Sequence, residues 1–163
     1  MSVVESSLKP GNGKSLRTRD EQFCTFRLGN LLFGVEVLCV QEVLLKQEMT
    51  RLPLVSDVVS GLINLRGQIV TAIDLRRRLG LPPLDNGKEP MNVVVRTTDA
   101  AFSLLVDEIG DVVDVDPESF EAPPETLTGT ARELILGAYK LEGRLLLVLD
   151  TERATALDES VGR

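Results

Sequence analysis

Gly61-Leu62-Ile63-Asn64-Leu65-Arg66-Gly67-Gln68-Ile69-Val70-Thr71-Ala72-Ile73-Asp74 lies over Gly137-Ala138-Tyr139-Lys140-Leu141-Glu142-Gly143-Arg144-Leu145-Leu146-Leu147-Val148-Leu149-Asp150 at a constant offset of 76 residues. Each copy starts on a glycine, runs apolar to a second glycine, returns apolar and stops at an aspartate. Short apolar runs pinched at glycine read as two strands of a hairpin, and the terminal aspartate as the cap of a short helix. In the first copy that helix covers Leu75 to Leu79 and Gly80 closes it. Further upstream, Phe33-Gly34-Val35-Glu36-Val37 is mirrored more loosely by Phe102-Ser103-Leu104-Leu105-Val106. The duplication predicts two similar small barrels. Halves of about 70 residues have little core of their own, so they are expected to pack as one unit.

The same punctuation extends to both sides. Cys24, Phe26 and Leu28 share one face of a strand, Gly29-Asn30 turns the chain and Leu31 to Val37 returns. Ser56 to Ser60 reads as a helical turn entered after Pro53 and stopped by Gly61, whose missing Cβ suits a left-handed cap. Residues 81–90 hold three prolines, a glycine and an Asp-Asn pair, the best candidate for the connection between halves. Pro117 to Arg132 is expected to be a long exposed loop carrying at most a helical turn. Residues 1–20 hold four bases against two acids with no hydrophobic period, and are expected to form a flexible arm. That leaves one domain over 21–157 and a tail over 158–163.

Composition removes whole classes of function. The chain has 163 residues, 43% of them hydrophobic and 26% charged, a globular balance, and no histidine. Without histidine the commonest general base is missing, and with it the serine and cysteine triads and any histidine-ligated metal. A net charge of −7 without a basic stripe argues against nucleic-acid binding. No signal-like segment or membrane-length apolar run is present, and Cys24 and Cys39 read as reduced, small apolar fillers, so a soluble intracellular protein is expected.

An enzyme reading would rest on Asp107, Glu108, Asp111, Asp114 and Asp116, as a small metal-dependent hydrolase. Neighbours on a strand point to opposite faces, so Asp107 and Glu108 do not converge while that strand persists. A solvated acidic edge that resists strand pairing explains them as well. No cofactor or metal set is expected.

The turn residues say more. Both hairpins need their glycine, yet the residue before it is Arg66 in one copy and Glu142 in the other, so the turn itself does not call for arginine. A guanidinium at a hairpin tip is placed either to bind a partner's carboxylate or carbonyl, or to lie in solvent. Val37 to Leu45 is apolar with one acid, Glu42, and reads as core or as contact surface.

Phe33 to Val37, Val40-Gln41-Glu42-Val43, Gly61 to Gly67, Ile73-Asp74-Leu75-Arg76, Leu105-Val106-Asp107-Glu108, Leu136 to Tyr139 and Leu146 to Asp150 together resemble the CheW-like coupling proteins of bacterial chemotaxis, over about residues 21 to 157. The pattern departs at Thr71-Ala72, where the family usually has a proline, and at Ser103, where glycine is usual. The resemblance implies an all-β fold with short helices, two intertwined SH3-like five-stranded β-barrels, and no catalysis. It implies an adaptor between the cytoplasmic tip of methyl-accepting chemoreceptors and the regulatory domain of the histidine kinase CheA, in receptor arrays at the inner membrane face. Val40, Glu42, Arg66 and Met91 fall at positions associated with receptor contact, and Gly61 and Asn64 at positions associated with the kinase. A scaffold of a different array, for surface motility or development, is the alternative the resemblance leaves.

Overall fold

Strands form where apolar residues alternate or run, and each ends at a turn that the sequence marks. The computed structural model describes residues 22–45, 47–51, 57–83, 89–98 and 100–157; the expected arm and tail lie outside them. In the first repeat, β1 (Gln22–Leu28) and β2 (Leu31–Glu36) form a hairpin. A 3-10 turn then leads to β3 (Val40–Leu44), and β4 (Val59–Leu65) and β5 (Gln68–Asp74) form a second hairpin before α1 (Leu75–Leu79). The second repeat follows the same plan with β6 (Met91–Arg96), β7 (Ala101–Val106), β8 (Glu108–Asp114), α2 (Gly129–Glu133), β9 (Ile135–Leu141), β10 (Arg144–Leu149) and α3 (Thr151–Thr155).

The sheets do not follow the repeats. One five-stranded sheet runs β8-β1-β2-β10-β9 and the other β3-β6-β7-β5-β4. Exchanging each strand for its counterpart in the other repeat converts one order into the other. Each repeat therefore donates its first hairpin to the sheet built by the other repeat, and the two are intertwined. Each donated hairpin is held on both sides, antiparallel through β1–β8 and β3–β6 and parallel through β2–β10 and β5–β7. Leu147 and Val148 of β10 lie opposite Phe33 and Gly34 of β2, and Thr71 and Ala72 of β5 lie opposite Phe102 and Ser103 of β7, in equivalent register.

The equivalence reaches single hydrogen bonds. Asp74 and Asp150 cap α1 and α3 by accepting from the Arg77 and Arg153 N–H groups. The Asp74 and Asp150 N–H groups donate to the Val58 and Leu134 carbonyls, both at 2.8 Å. Where the copies meet, Arg78 donates to the Ala154 and Arg153 carbonyls at 2.9 and 2.8 Å, satisfying the C-terminal end of α3.

Three clusters make the core. Phe23, Leu32, Leu146 and Val148 form a cluster on one side of the first sheet. Ile63, Val70, Ala72 and Leu105 form another on the second sheet. A larger shared cluster, with Phe26, Phe33, Val35, Ile73, Leu104, Leu147 and Leu149, lies between the sheets and takes residues from both repeats. The departure at Ser103 has a local cause. A Cβ on its counterpart Gly34 would come within 2.9 Å of Leu146, whereas the second sheet has the smaller Val70 in the place of Leu146. Buried Ser103 uses that room to donate to Asn92 Oδ1 at 2.7 Å, and Asn92 donates to the Leu45 carbonyl at 3.0 Å.

Three expectations need correction. Asp57 and Val58 form a turn and Val59 already starts β4, so Gly61 is buried in mid-strand and caps no helix; Ser56 lies outside the described residues. Residues 81–90 join the repeats but do not divide the sheets, because β3 to β7 on either side belong to one sheet. The stretch from Pro117 to Arg132 is only partly exposed, since Leu127 and Ala131 reach the shared core.

Candidate functional site

β3 is an edge strand, laddered to β6 on one side only. Its alternation turns Val40, Glu42 and Leu44 inward to half-buried positions and leaves Gln41 and Val43 exposed, followed by exposed Leu45. At the far edge of the same sheet, the tip of the β4–β5 hairpin reaches back toward β3. Arg66 Nη2 donates to Glu42 Oε2, and Gln41 Nε2 donates to Gln68 Oε1 at 3.4 Å. Thr50 and Leu62 exchange backbone hydrogen bonds at 2.9 and 2.8 Å, covering part of the β4 edge.

The geometry of the tip explains which residues it needs. Gly67 is at φ 90° and Arg66 at φ 52°, the only non-glycine with positive φ among the described residues. Positive φ at both central positions is the pattern of a type I′ turn, which favours Asn-Gly or Gly-Gly. Asn64 Oδ1 accepts the Gly67 N–H at 2.8 Å and holds the turn. Arginine in the left-handed region costs on the order of 1 kcal/mol, because its Cβ crowds the following carbonyl. The ion pair is lopsided, with the Arg66 side chain 71% exposed and that of Glu42 21%. One carboxylate therefore fixes a guanidinium that still presents most of its donors to solvent.

The structure thus brings Glu42, Arg66 and Asn64 together. Val40 and Met91 are half-buried against the shared core and stand apart, since Val40 pairs with Val95 while Met91 lies beyond the Leu44–Asn92 pair at the other end of the ladder. Gly61 acts by absence of bulk, because a Cβ there would lie 2.6 Å from the Thr50 carbonyl oxygen. Val43 and Leu45, on the opposite face of the edge strand from Glu42, and Ile69 on β5 are exposed apolar residues, and Ile69 is the one sequence reasoning did not mark. Their alternation with Val40, Glu42 and Leu44 was visible, but nothing in it says which face lacks a cover.

The carboxylates assemble no catalytic set. Asp107 is a bend between β7 and β8, paired with Arg76 through Nε–Oδ1 at 2.9 Å and Nη2–Oδ2 at 2.5 Å, and it accepts the Gly29 N–H at 2.7 Å. It is therefore a staple between sheets, not the solvated edge acid expected of it. Glu108, Asp111 and Asp114 do lie exposed along β8. No three potential ligand residues converge on a metal position among the described residues. Both thiols are free; burial pushes up Cys24, and burial with the charges of Glu36 and Glu152 pushes up Cys39.

A rigid frame of two matched sheets that displays an edge strand and a fixed cation belongs to the class of non-catalytic binding modules. Residues 22–159 match the family profile described as CheW-like domain, and the chain belongs to that family of chemotaxis coupling and scaffolding proteins. It is similar to the chemotaxis protein CheW of Treponema pallidum, at 31% identity over 85% of each chain. The CheW of Bacillus subtilis is 32% identical over 80% of this chain and 83% of its own. The crystal structure of the scaffolding protein TtCheW from Thermoanaerobacter tengcongensis superposes with a TM-score of 0.76 at 25% identity, covering 85% of this chain and 94% of that one. No helix among the described residues is long and apolar enough to cross a membrane.

Proposed function

We propose that the chain couples the cytoplasmic tips of methyl-accepting chemoreceptors to the regulatory domain of the histidine kinase CheA, within receptor arrays at the inner face of the membrane. It acts as one unit over residues 21–157, flanked by an arm at 1–20 and a tail at 158–163. The receptor surface is the β3 edge and the β4–β5 tip: Arg66 and Glu42 on one face of the edge strand, exposed Val43 and Leu45 on the other, exposed Ile69 on β5, and Val40 and Met91 shaping the strands beneath. Gly61 and Asn64 set the course of β4 and its turn for the kinase.

The observation that carries this reading is Arg66, kept in a strained turn that glycine or asparagine would fill more comfortably. Backbone strain of this kind persists where a side chain has work beyond the fold. Calorimetric titration of the full chain with a receptor-tip fragment and, separately, with the kinase regulatory domain tests the proposal. Saturable binding of both, and a ternary complex, is expected. Binding of neither, under conditions where the chain gives a cooperative melt, would overturn it.

A further inference from the structure

The first sheet carries a second candidate surface, remote in the fold from the β3 edge. The β1–β2 turn, the start of β10 and the loop before α2 enclose a cleft of about 270 Å³. Its apolar walls include Leu31, Pro124, Leu127 and Leu145, and Arg27 and Arg144 stand at it. The loop wall is fixed, because Arg132 Nη1 donates to the Pro124 carbonyl at 2.8 Å and to the Leu127 carbonyl at 3.3 Å. Both cleft arginines are exposed. Glu108 faces Arg27 in the β1–β8 ladder and Glu142 stands two residues before Arg144, in the turn that leads into β10, yet neither arginine pairs with a carboxylate among the described residues.

We infer that this cleft docks an acidic peptide segment of a partner protein, which inserts an apolar side chain between Leu31 and Leu145 and sets its carboxylates against Arg27 and Arg144. Size favours a peptide anchor, since the space falls below the roughly 300–1,000 Å³ typical of sites for whole small-molecule ligands. Charge fixes the sign of the occupant. On a chain of net charge −7, an acidic partner is repelled in general and needs a local pair of open guanidinium groups to settle in register. The chain's own residues 1–20, with four bases against two acids, have the wrong sign to fill it.

The test is to pan a random dodecapeptide library against the full chain and against the double variant Arg27→Glu/Arg144→Glu, with Leu145→Asp as a second variant and melting curves to establish folding. If charge reversal lowers the melting temperature, the paired alanine variant replaces it. The expected consensus has Asp or Glu beside Leu, Ile or Phe. A synthetic peptide of that consensus should bind the parent at least tenfold more tightly than either folded variant, and Arg66→Ala should bind it as the parent does. A basic or purely apolar consensus, no enrichment, or affinity indifferent to Arg27 and Arg144 would overturn the inference.

Discussion

Hairpin β4–β5 turns through Arg66 and Gly67, both at positive φ, whereas its copy β9–β10 turns through Glu142 and Gly143 with only the glycine there, at φ 79°. The strands on either side are equivalent in pattern, in capping aspartate and in partner strand. The tip is where the copies part. One keeps a strained cation and clamps it with Glu42 from the facing edge strand; the other carries an acid at the tip, and the edge strand equivalent to β3 is β8, with Glu108, Asp111 and Asp114. A row of like charges on β8 repels a pairing strand. The duplicated frame thus leaves one edge with exposed apolar residues and lines the other with acids, and the difference lies in a few side chains rather than in the strand order.

The largest effect should come from separating the copies. A fragment of residues 21–85 keeps β3, β4 and β5 but loses β6 and β7 between them, and keeps β1 and β2 without β8 and β10. It should be unfolded by far-ultraviolet dichroism, while the intact chain unfolds in one transition followed equally by dichroism and by Tyr139 fluorescence. A stably folded fragment, or two separated transitions, would mean that the sheets are independent of the exchange.

Next in size is the pair of staples that hold the donated hairpins. The Gly29 N–H is held by Asp107, whose side chain is 12% exposed and paired with Arg76 at 15%. In the other copy Thr98 is held by Glu152, at 3.0 Å from its N–H and 3.1 Å from its hydroxyl, without an arginine. Asp107→Ala takes the paired carboxylate from a mostly buried guanidinium, which keeps its bond to the Pro82 carbonyl, and should cost about 3 kcal/mol. Glu152→Ala removes exposed hydrogen bonds and should cost under about 1 kcal/mol. Urea unfolding of both variants checks the order, and equal losses would contradict it.

How much of this could be read from the sequence follows from what a repeat contains. The 76-residue offset is enough to place both hairpins and both aspartate caps, because matching segments adopt matching local structure. It could not show that each copy gives its first hairpin away. Likeness of two segments does not say which strands pair, and the parallel β2–β10 and β5–β7 joins have no local turn to announce them. For the same reason Asp107 read as a surface acid: its partner Arg76 is 31 residues distant, and their meeting depends on the crossing from β7 to β8. Glu42 and Arg66 both stand out in the sequence, but their contact requires the two edges of the second sheet to meet.

A smaller effect separates the two thiols. Burial raises Cys24, whereas Cys39 is raised by burial first and then by the charges of Glu36 and Glu152 and a hydrogen bond to Glu36. A raised thiol holds less thiolate at neutral pH, so both should alkylate more slowly than free cysteine, with the rate climbing at higher pH than usual. Glu152→Gln removes one opposing charge, lowers the Cys39 pKa and should speed its alkylation a few fold while leaving Cys24 unchanged. Iodoacetamide labelling followed by peptide mass spectrometry reads both sites.

The central claim is that Arg66 is held at some cost to the fold for the sake of a partner, and Arg66→Gly tests it most directly. Glycine relieves the positive φ and gives up an exposed ion pair worth about 0 to 1 kcal/mol, so stability to urea should stay within about 1 kcal/mol of the parent or rise. Affinity for a receptor-tip fragment should fall about thirtyfold, equivalent to roughly 2 kcal/mol, with a smaller change toward the kinase regulatory domain. A variant that binds the receptor tip as tightly as the parent, or one that loses several kcal/mol of stability, would show that Arg66 serves the turn and its Glu42 clamp alone.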